Sequence, residues 1–264
     1  MATHFDRSAV QEFFEQRVGC QNPEVFADFV KPLADIRLTL DDANALVDSA
    51  RADVQGQFER TALTLLQAIA DIEVGNRMWA AVKLYYSVFY ALRVELHLNG
   101  LSVIRCGKIF TCDRKHGSTL IRYNNSEKGD HAIAISLTSK YLYGIDILLD
   151  AKLDGKSTYL WMKSLREIVQ YKMRNPPETV GYDPFFPTNQ MSISDQVQLF
   201  LNDTDPYYCF DPDYAALAIP VKRFQITAKN VQSENIPLTK EFKGAVEIIY
   251  EKCKTTRLLK PYFW

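Results

Sequence analysis

This chain of 264 residues lacks the signature motifs of the common catalytic folds. It has no GxxxxGK[ST] phosphate loop, no GxGxxG after a strand, no GxSxG elbow and no HExxH. Cysteine is sparse: Cys20, Cys106, Cys112, Cys209 and Cys253 are odd in number and form no CxxC pair. That argues against a disulfide framework or a zinc knuckle and for a reducing compartment. The four histidines, His4, His97, His116 and His131, share no ligand spacing. No His-based metal site is therefore expected and no cofactor; an all-carboxylate magnesium site is the one metal arrangement left open. The net charge is −1, so no global field draws the chain to nucleic acid or to an acidic membrane, and any such contact needs a local patch. No stretch approaches the roughly 18 uncharged apolar residues of a spanning helix. The opening Met-Ala-Thr-His-Phe-Asp-Arg lacks the layout of a signal peptide. A cytoplasmic protein without membrane association is expected. Internal repeats and low-complexity segments are also missing.

What is present is a strong helical core pattern. From Asn76 to Gly100 the chain has no Gly or Pro until its end, where Asn99-Gly100 supplies a helix stop. At 100° per residue Met78, Ala81, Val82, Tyr85, Phe89, Leu92 and Leu96 share one broad side. Trp79, Lys83, Tyr86, Tyr90, Arg93 and His97 form a neighbouring stripe. A helix this apolar belongs inside a bundle. Before it, residues 41–74 keep a 3.6-residue period through Leu46, Ala50, Val54, Phe58, Leu65 and Ile69. Gly75-Asn76 joins the two into an antiparallel hairpin.

The expected fold is mainly α: a helical bundle with small irregular or β insertions and a C-terminal α+β extension. Residues 1–40 hold short helices, one capped by Asp6 and one after Pro23. Residues 41–175 form the bundle, with an insertion at 101–153; residues 176–264 form the extension. Within the insertion, Ile104–Phe110 and Ala132–Leu137 look like short strands around the polar tract Tyr123–Asp130, and Ser139–Leu153 looks helical. Ser157 caps a helix that Pro176-Pro177 stops. Ser192 or Ser194 caps a further short helix, Ala215–Thr227 reads as a strand, and Thr239–Leu259 as the last helix. The terminal Tyr262-Phe263-Trp264 either anchors a partner or ties down that helix, and the second is favoured.

Three groups carry candidate chemistry. Arg93 and His97 are four apart and point the same way along a helix. A guanidinium and an imidazole suit phosphodiester chemistry, one holding the phosphate and the other moving a proton. The plainer account pairs Arg93 with a carboxylate of a neighbouring helix. Residues 105–122 carry Arg105, Lys108, Arg114, Lys115 and Arg122 against Asp113 alone, with His116 among them. Within them Arg114-Lys115-His116-Gly117-Ser118 reads as a flexible basic loop that could touch phosphates, or as a solvated loop. Arg166, Tyr171, Lys172 and Arg174 would make a second phosphate-binding wall, or merely place positive charge at a helix C-terminus.

The segment Trp79-Ala-Ala-Val-Lys-Leu-Tyr-Tyr-Ser-Val-Phe-Tyr-Ala-Leu-Arg93, running on to Asn99-Gly100, resembles a helix of HEPN-like proteins. Leu165-Arg-Glu-Ile-Val-Gln-Tyr-Lys-Met-Arg174 is similar to a second bundle helix of that family. The resemblance implies a helical bundle, often dimeric, of prokaryotic toxin–antitoxin and antiviral systems, and often a metal-independent endoribonuclease. Active members carry Arg, then four to six residues, then His. Here Arg93 and His97 enclose three residues, Arg114 and His116 one, and Arg122 and His131 eight. An accessory or sensor subunit with a protein partner, or a homodimer, is therefore expected ahead of the ribonuclease. RNA or other nucleic-acid binding without cleavage is the third alternative. If RNA is cleaved, Arg93 and His97 are the expected catalytic pair. Arg105, Lys108, Arg114, Lys115, His116, Arg122 and Arg174 are the expected phosphate contacts.

Overall fold

The computed structural model describes residues 7–123, 129–180 and 191–263, and among them the protein is mainly helical. The helices are α1 (Ala9–Arg17), α2 (Val30–Ala34), α3 (Leu40–Glu73), α4 (Arg77–Leu98), α5 (Asp130–Tyr141), α6 (Thr158–Glu167), α7 (Pro177–Val180), α8 (Ile193–Asn202), α9 (Ala215–Ser233) and α10 (Lys240–Lys252). The strands are β1 (Leu101–Cys106), β2 (Lys108–Asp113), β3 (Ile121–Arg122), β4 (Lys152–Leu153) and β5 (Lys156–Ser157).

The α3–α4 hairpin is the spine. At ~1.5 Å per residue α3 is about 50 Å long, and it starts at a reciprocal capping box between Thr39 and Asp42. It ends through Gly75 at φ +81°, and α4 ends through Gly100 at φ +87°, conformations that cost a glycine little. The second turn leads directly into β1, so the sheet is anchored at the end of α4. β1, β2 and β3 form an antiparallel sheet in that order, with Arg105 opposite Ile109 and Phe110 opposite Arg122. The hairpin turns at Gly107, φ +61°, where a Cβ would come within 3.3 Å of Ala27.

The main core gathers Phe58, Leu65, Ile69 from α3, Leu84, Val88, Leu92 from α4, and the inner faces of α6, α8, α9 and α10. A second core lies under the other end of α3, where Val10, Phe14, Phe26 and Leu33 meet Ile104, Phe110 and Cys112 on one face of the sheet. The opposite sheet face joins Leu96, Ile133 and Leu137 in a small third cluster.

Several expectations are overturned. Ala215–Thr227 is not a strand but most of α9, a central helix packed on α3 and α4, so the described C-terminal part is helical. Its side chains are buried nearly all round, which erases the one-sided periodicity that marks a surface helix. Pro220 is tolerated in its second turn, where one backbone hydrogen bond is forgone. Ala132–Leu137 lies within α5, and Ile104–Phe110 spans a hairpin rather than one strand. Ser139–Leu153 is helical only to Tyr141; a turn, a 3-10 segment at Ile147–Leu149 and the β4–β5 ribbon follow. The last helix stops at Lys252 and a 3-10 segment runs on to Tyr262. α1 is capped by Ser8, while the expected cap Asp6 and most of the polar tract at 124–128 lie outside the described residues.

Phe263 is buried against Phe58, Phe224 and Phe242, and Tyr262 Oη accepts a hydrogen bond from Gln225 at 2.7 Å. These two aromatics tie the chain end to the core; Trp264 lies outside the described residues.

Candidate functional site

The stripe carrying Arg93 and His97 faces a cavity of about 310 Å³ between α4, α5, the open face of the sheet and the start of α1. Each wall follows from local sequence. On α5, Asp130, Ile133, Ala134 and Leu137 fall at i, i+3, i+4 and i+7, so one helical face supplies the whole side. On the sheet, Val103, Arg105 and Ile109 share a face by strand alternation and cross-strand pairing. The start of α1 is held by Asp53 on α3, whose carboxylate accepts from Ser8 Oγ at 2.6 Å and from the backbone N–H groups of Ala9 at 2.7 Å and Val10 at 3.1 Å. Gln11 clamps β1 to α1, donating to the carbonyl of Arg105 at 3.0 Å and accepting from its N–H at 3.1 Å.

The two polar side chains at the centre are not matched by the protein. Arg93 makes no hydrogen bond or ion pair among the described residues; its guanidinium lies 6.0 Å from the centroid of the Phe89 ring. Burial lowers its pKa, opposed by the nearby charge of Asp53. His97 is 5% exposed and its buried Nδ1 has no partner. Burial holds the imidazole down to about 4, with Asp53 opposing and Arg114 and Arg93 adding to the effect. At neutral pH it is therefore an uncharged ring with one donor and one acceptor nitrogen. At the mouth Arg105 pairs with Asp130, and both side chains are more than half exposed.

The remaining expected phosphate contacts are dispersed. Arg114 turns inward, where its Nη2 donates to the carbonyl of His97 and completes the end of α4. Lys115 and His116 are exposed, but their loop is pinned rather than flexible. Gly117 N–H donates to Leu38 O at 2.8 Å and Leu38 N–H to Ser118 O at 2.9 Å. Lys108 lies opposite Cys106 and Arg122 opposite Phe110, on the sheet face turned away from the cavity. Arg174 is exposed four residues before Glu178, whose carboxylate accepts from Met78 N–H in the first turn of α4, far from His97. Arg93, His97 and Arg105 thus share one site, while Lys108, Lys115, His116, Arg122 and Arg174 stand apart from it.

Asp53, Gln11 and Asp130 belong to the same site and carried no motif in the sequence. Only Asp130 had a legible signal, the i, i+3, i+4, i+7 spacing that follows it. Among the described residues no three His, Cys, Asp or Glu side chains converge in a way that would hold a metal ion. None of the described helices is long and apolar enough to cross a membrane. No protein-family model matches the chain, and comparison with curated proteins and with solved structures returned no match.

Proposed function

We propose that this protein is an accessory or sensing subunit that takes up a small anion with an apolar body in the cleft between α4, α5 and β1. The observation that supports it most is the unmatched guanidinium of Arg93 beside the unpartnered, neutral His97 in that cavity. A guanidinium offers a planar fork of donors that fits a carboxylate or phosphate. Ile133, Leu137 and Val103 would receive the apolar part, and the volume lies within the usual range for small ligands. The setting, a HEPN-like component of a prokaryotic antiviral defence or toxin–antitoxin system with a protein partner or a second copy of itself, rests on the resemblance of residues 79–93 and 165–174.

The metal-independent endoribonuclease is the second reading, favoured by one fact: Arg93 and His97 line the same cleft. Against it, proton transfer at neutral pH is best served by a group titrating near 7, and His97 is held near 4. Nucleic-acid binding without cleavage loses support from the scattering of residues 105–122 over two sheet faces and a pinned loop.

The deciding experiment screens small carboxylates and phosphate esters by thermal shift on the wild type and Arg93→Met, beside RNA incubated with each protein. A ligand that raises the wild-type melting temperature but not that of Arg93→Met, with RNA intact throughout, is the expected result. RNA fragmentation by the wild type that disappears in Arg93→Ala/His97→Ala would replace this reading with the ribonuclease.

A further inference from the structure

The cavity beside Arg93 is lined by charges that do not cancel. Arg93, Arg105 and Asp130 are the ionised residues in its wall. Arg105 is answered by Asp130 at the mouth, which leaves the single charge of Arg93. His97 is held uncharged at neutral pH by burial and adds none. Outside the wall, Asp53 and Arg114 act on His97 with opposite sign, and Arg60 on α3 is exposed. The wall therefore calls for one negative charge. A second would lie within the fields of Asp53 and Asp130, and like charges withdrawn from water repel strongly. A carboxylate carries one charge at neutral pH, whereas a phosphate monoester carries about 1.5 to 2.

The rest of the wall is apolar and under-filled. Leu96, Ile133 and Leu137 are buried, but Val103 and Ile109, which line the same cavity from the sheet, stay half-buried. Helix α5 and the open sheet face thus stand apart around a space of about 310 Å³ instead of packing directly. Protein interiors are otherwise close-packed, and a gap of this size forgoes the contacts its lining would make. A water takes roughly 30 Å³ of the liquid, so 310 Å³ holds about ten atoms of that size. That is the size of a carboxylic acid of about eight carbons.

Resting on the anion cleft described above, we propose that its ligand is a medium-chain aliphatic monocarboxylate. The carboxylate takes the guanidinium fork of Arg93, and the tail lies between α5 and the sheet against Ile133, Leu137 and Val103. Such a ligand supplies both things the cavity lacks, one negative charge and the apolar filling of the third hydrophobic cluster. Phosphate esters of the same length are rejected by charge rather than by shape.

The test is calorimetric titration of the full chain at neutral pH with butyrate, hexanoate, octanoate and octyl phosphate. Octanoate binds the wild type, and each methylene added from butyrate onward tightens binding by about fourfold. Octyl phosphate binds about tenfold or more weakly than octanoate. Arg93→Met weakens octanoate by about tenfold or more, the loss expected for a charged hydrogen-bonding partner. Ala134→Leu, which adds bulk to the α5 wall, weakens octanoate by about tenfold and leaves butyrate unchanged, so that retained butyrate binding also shows an intact fold. Octyl phosphate bound as tightly as octanoate, with both lost in Arg93→Met, would overturn the carboxylate assignment and leave the anion cleft standing. Affinity indifferent to chain length or to Ala134→Leu would overturn the placing of the tail, and the proposal with it. Octanoate bound equally by Arg93→Met, or none of the four ligands bound by the wild type, would overturn the proposal and the anion cleft together.

Discussion

Arg223 on α9 reaches Glu95 on α4 at 2.8 Å, and both side chains are almost wholly withdrawn from solvent. The guanidinium also lies 2.9 Å from Asp146, which in turn accepts a hydrogen bond from Tyr159. Thr227 and Asn230, one and two turns beyond Arg223, complete the coordination of Glu95 at 2.7 Å and 3.0 Å. Four separate parts of the chain therefore meet at one cation held by two carboxylates.

Removing that cation should be severe. Arg223→Met leaves Glu95 and Asp146 buried without their shared counter-charge, and breaking such a pair costs roughly 3–5 kcal/mol. Denaturant unfolding should show this loss, with Arg223→Met/Glu95→Gln costing less than the two single changes added together. Additive losses would mean that the two groups are not coupled.

Stability should fall in mildly acidic solution through His97. Its folded pKa, about 4, lies below the unfolded value near 6.5. The unfolded chain therefore takes up the proton first. The contribution of neutral His97 is complete above about pH 6.5 and is lost as pH falls from there toward 4, to a total of about 3 kcal/mol. His131 is depressed in the same direction by burial and by Arg166. Unfolding free energies at pH 7 and pH 4.5 should differ less in His97→Leu than in the wild type; an unchanged difference would contradict the assignment.

The basic loop should divide sharply under alanine substitution. Arg114→Ala removes the donor to the last turn of α4 and should cost about 1–2 kcal/mol. Lys115→Ala and His116→Ala, both exposed, should lie within about 0.5 kcal/mol of the wild type. Melting temperatures of the three variants decide it, and equal effects would return the loop to a uniform charged surface.

The chain end should be part of the core in energetic terms. Phe263→Ala opens a cavity among Phe58, Phe224 and Phe242 and should cost about 3 kcal/mol or more. A change below about 1 kcal/mol in chemical denaturation would mean that the last turn is only loosely docked.

The sequence by itself determined the α3–α4 hairpin, because a long 3.6-residue period and a Gly-Asn turn admit one local answer. It also placed Arg93 and His97 on one side of α4, since four residues are about one helical turn. Where periodicity failed, so did the reading. α9 is buried on every side and offers no polar face to count from, and its β-branched residues with Pro220 imitate a strand. Only the tertiary structure decided that Arg223 would meet Glu95 and Asp146, that Arg105 would face the cavity while Lys108 and Arg122 face away, and that His131 would stand on Tyr85 beside Arg166. The residues of these contacts are separated by tens of positions or more, or by a strand register, so no local pattern encodes them. They exist because the packing of apolar faces brings distant polar groups to the same place, where loss of water makes each unmatched charge or donor count.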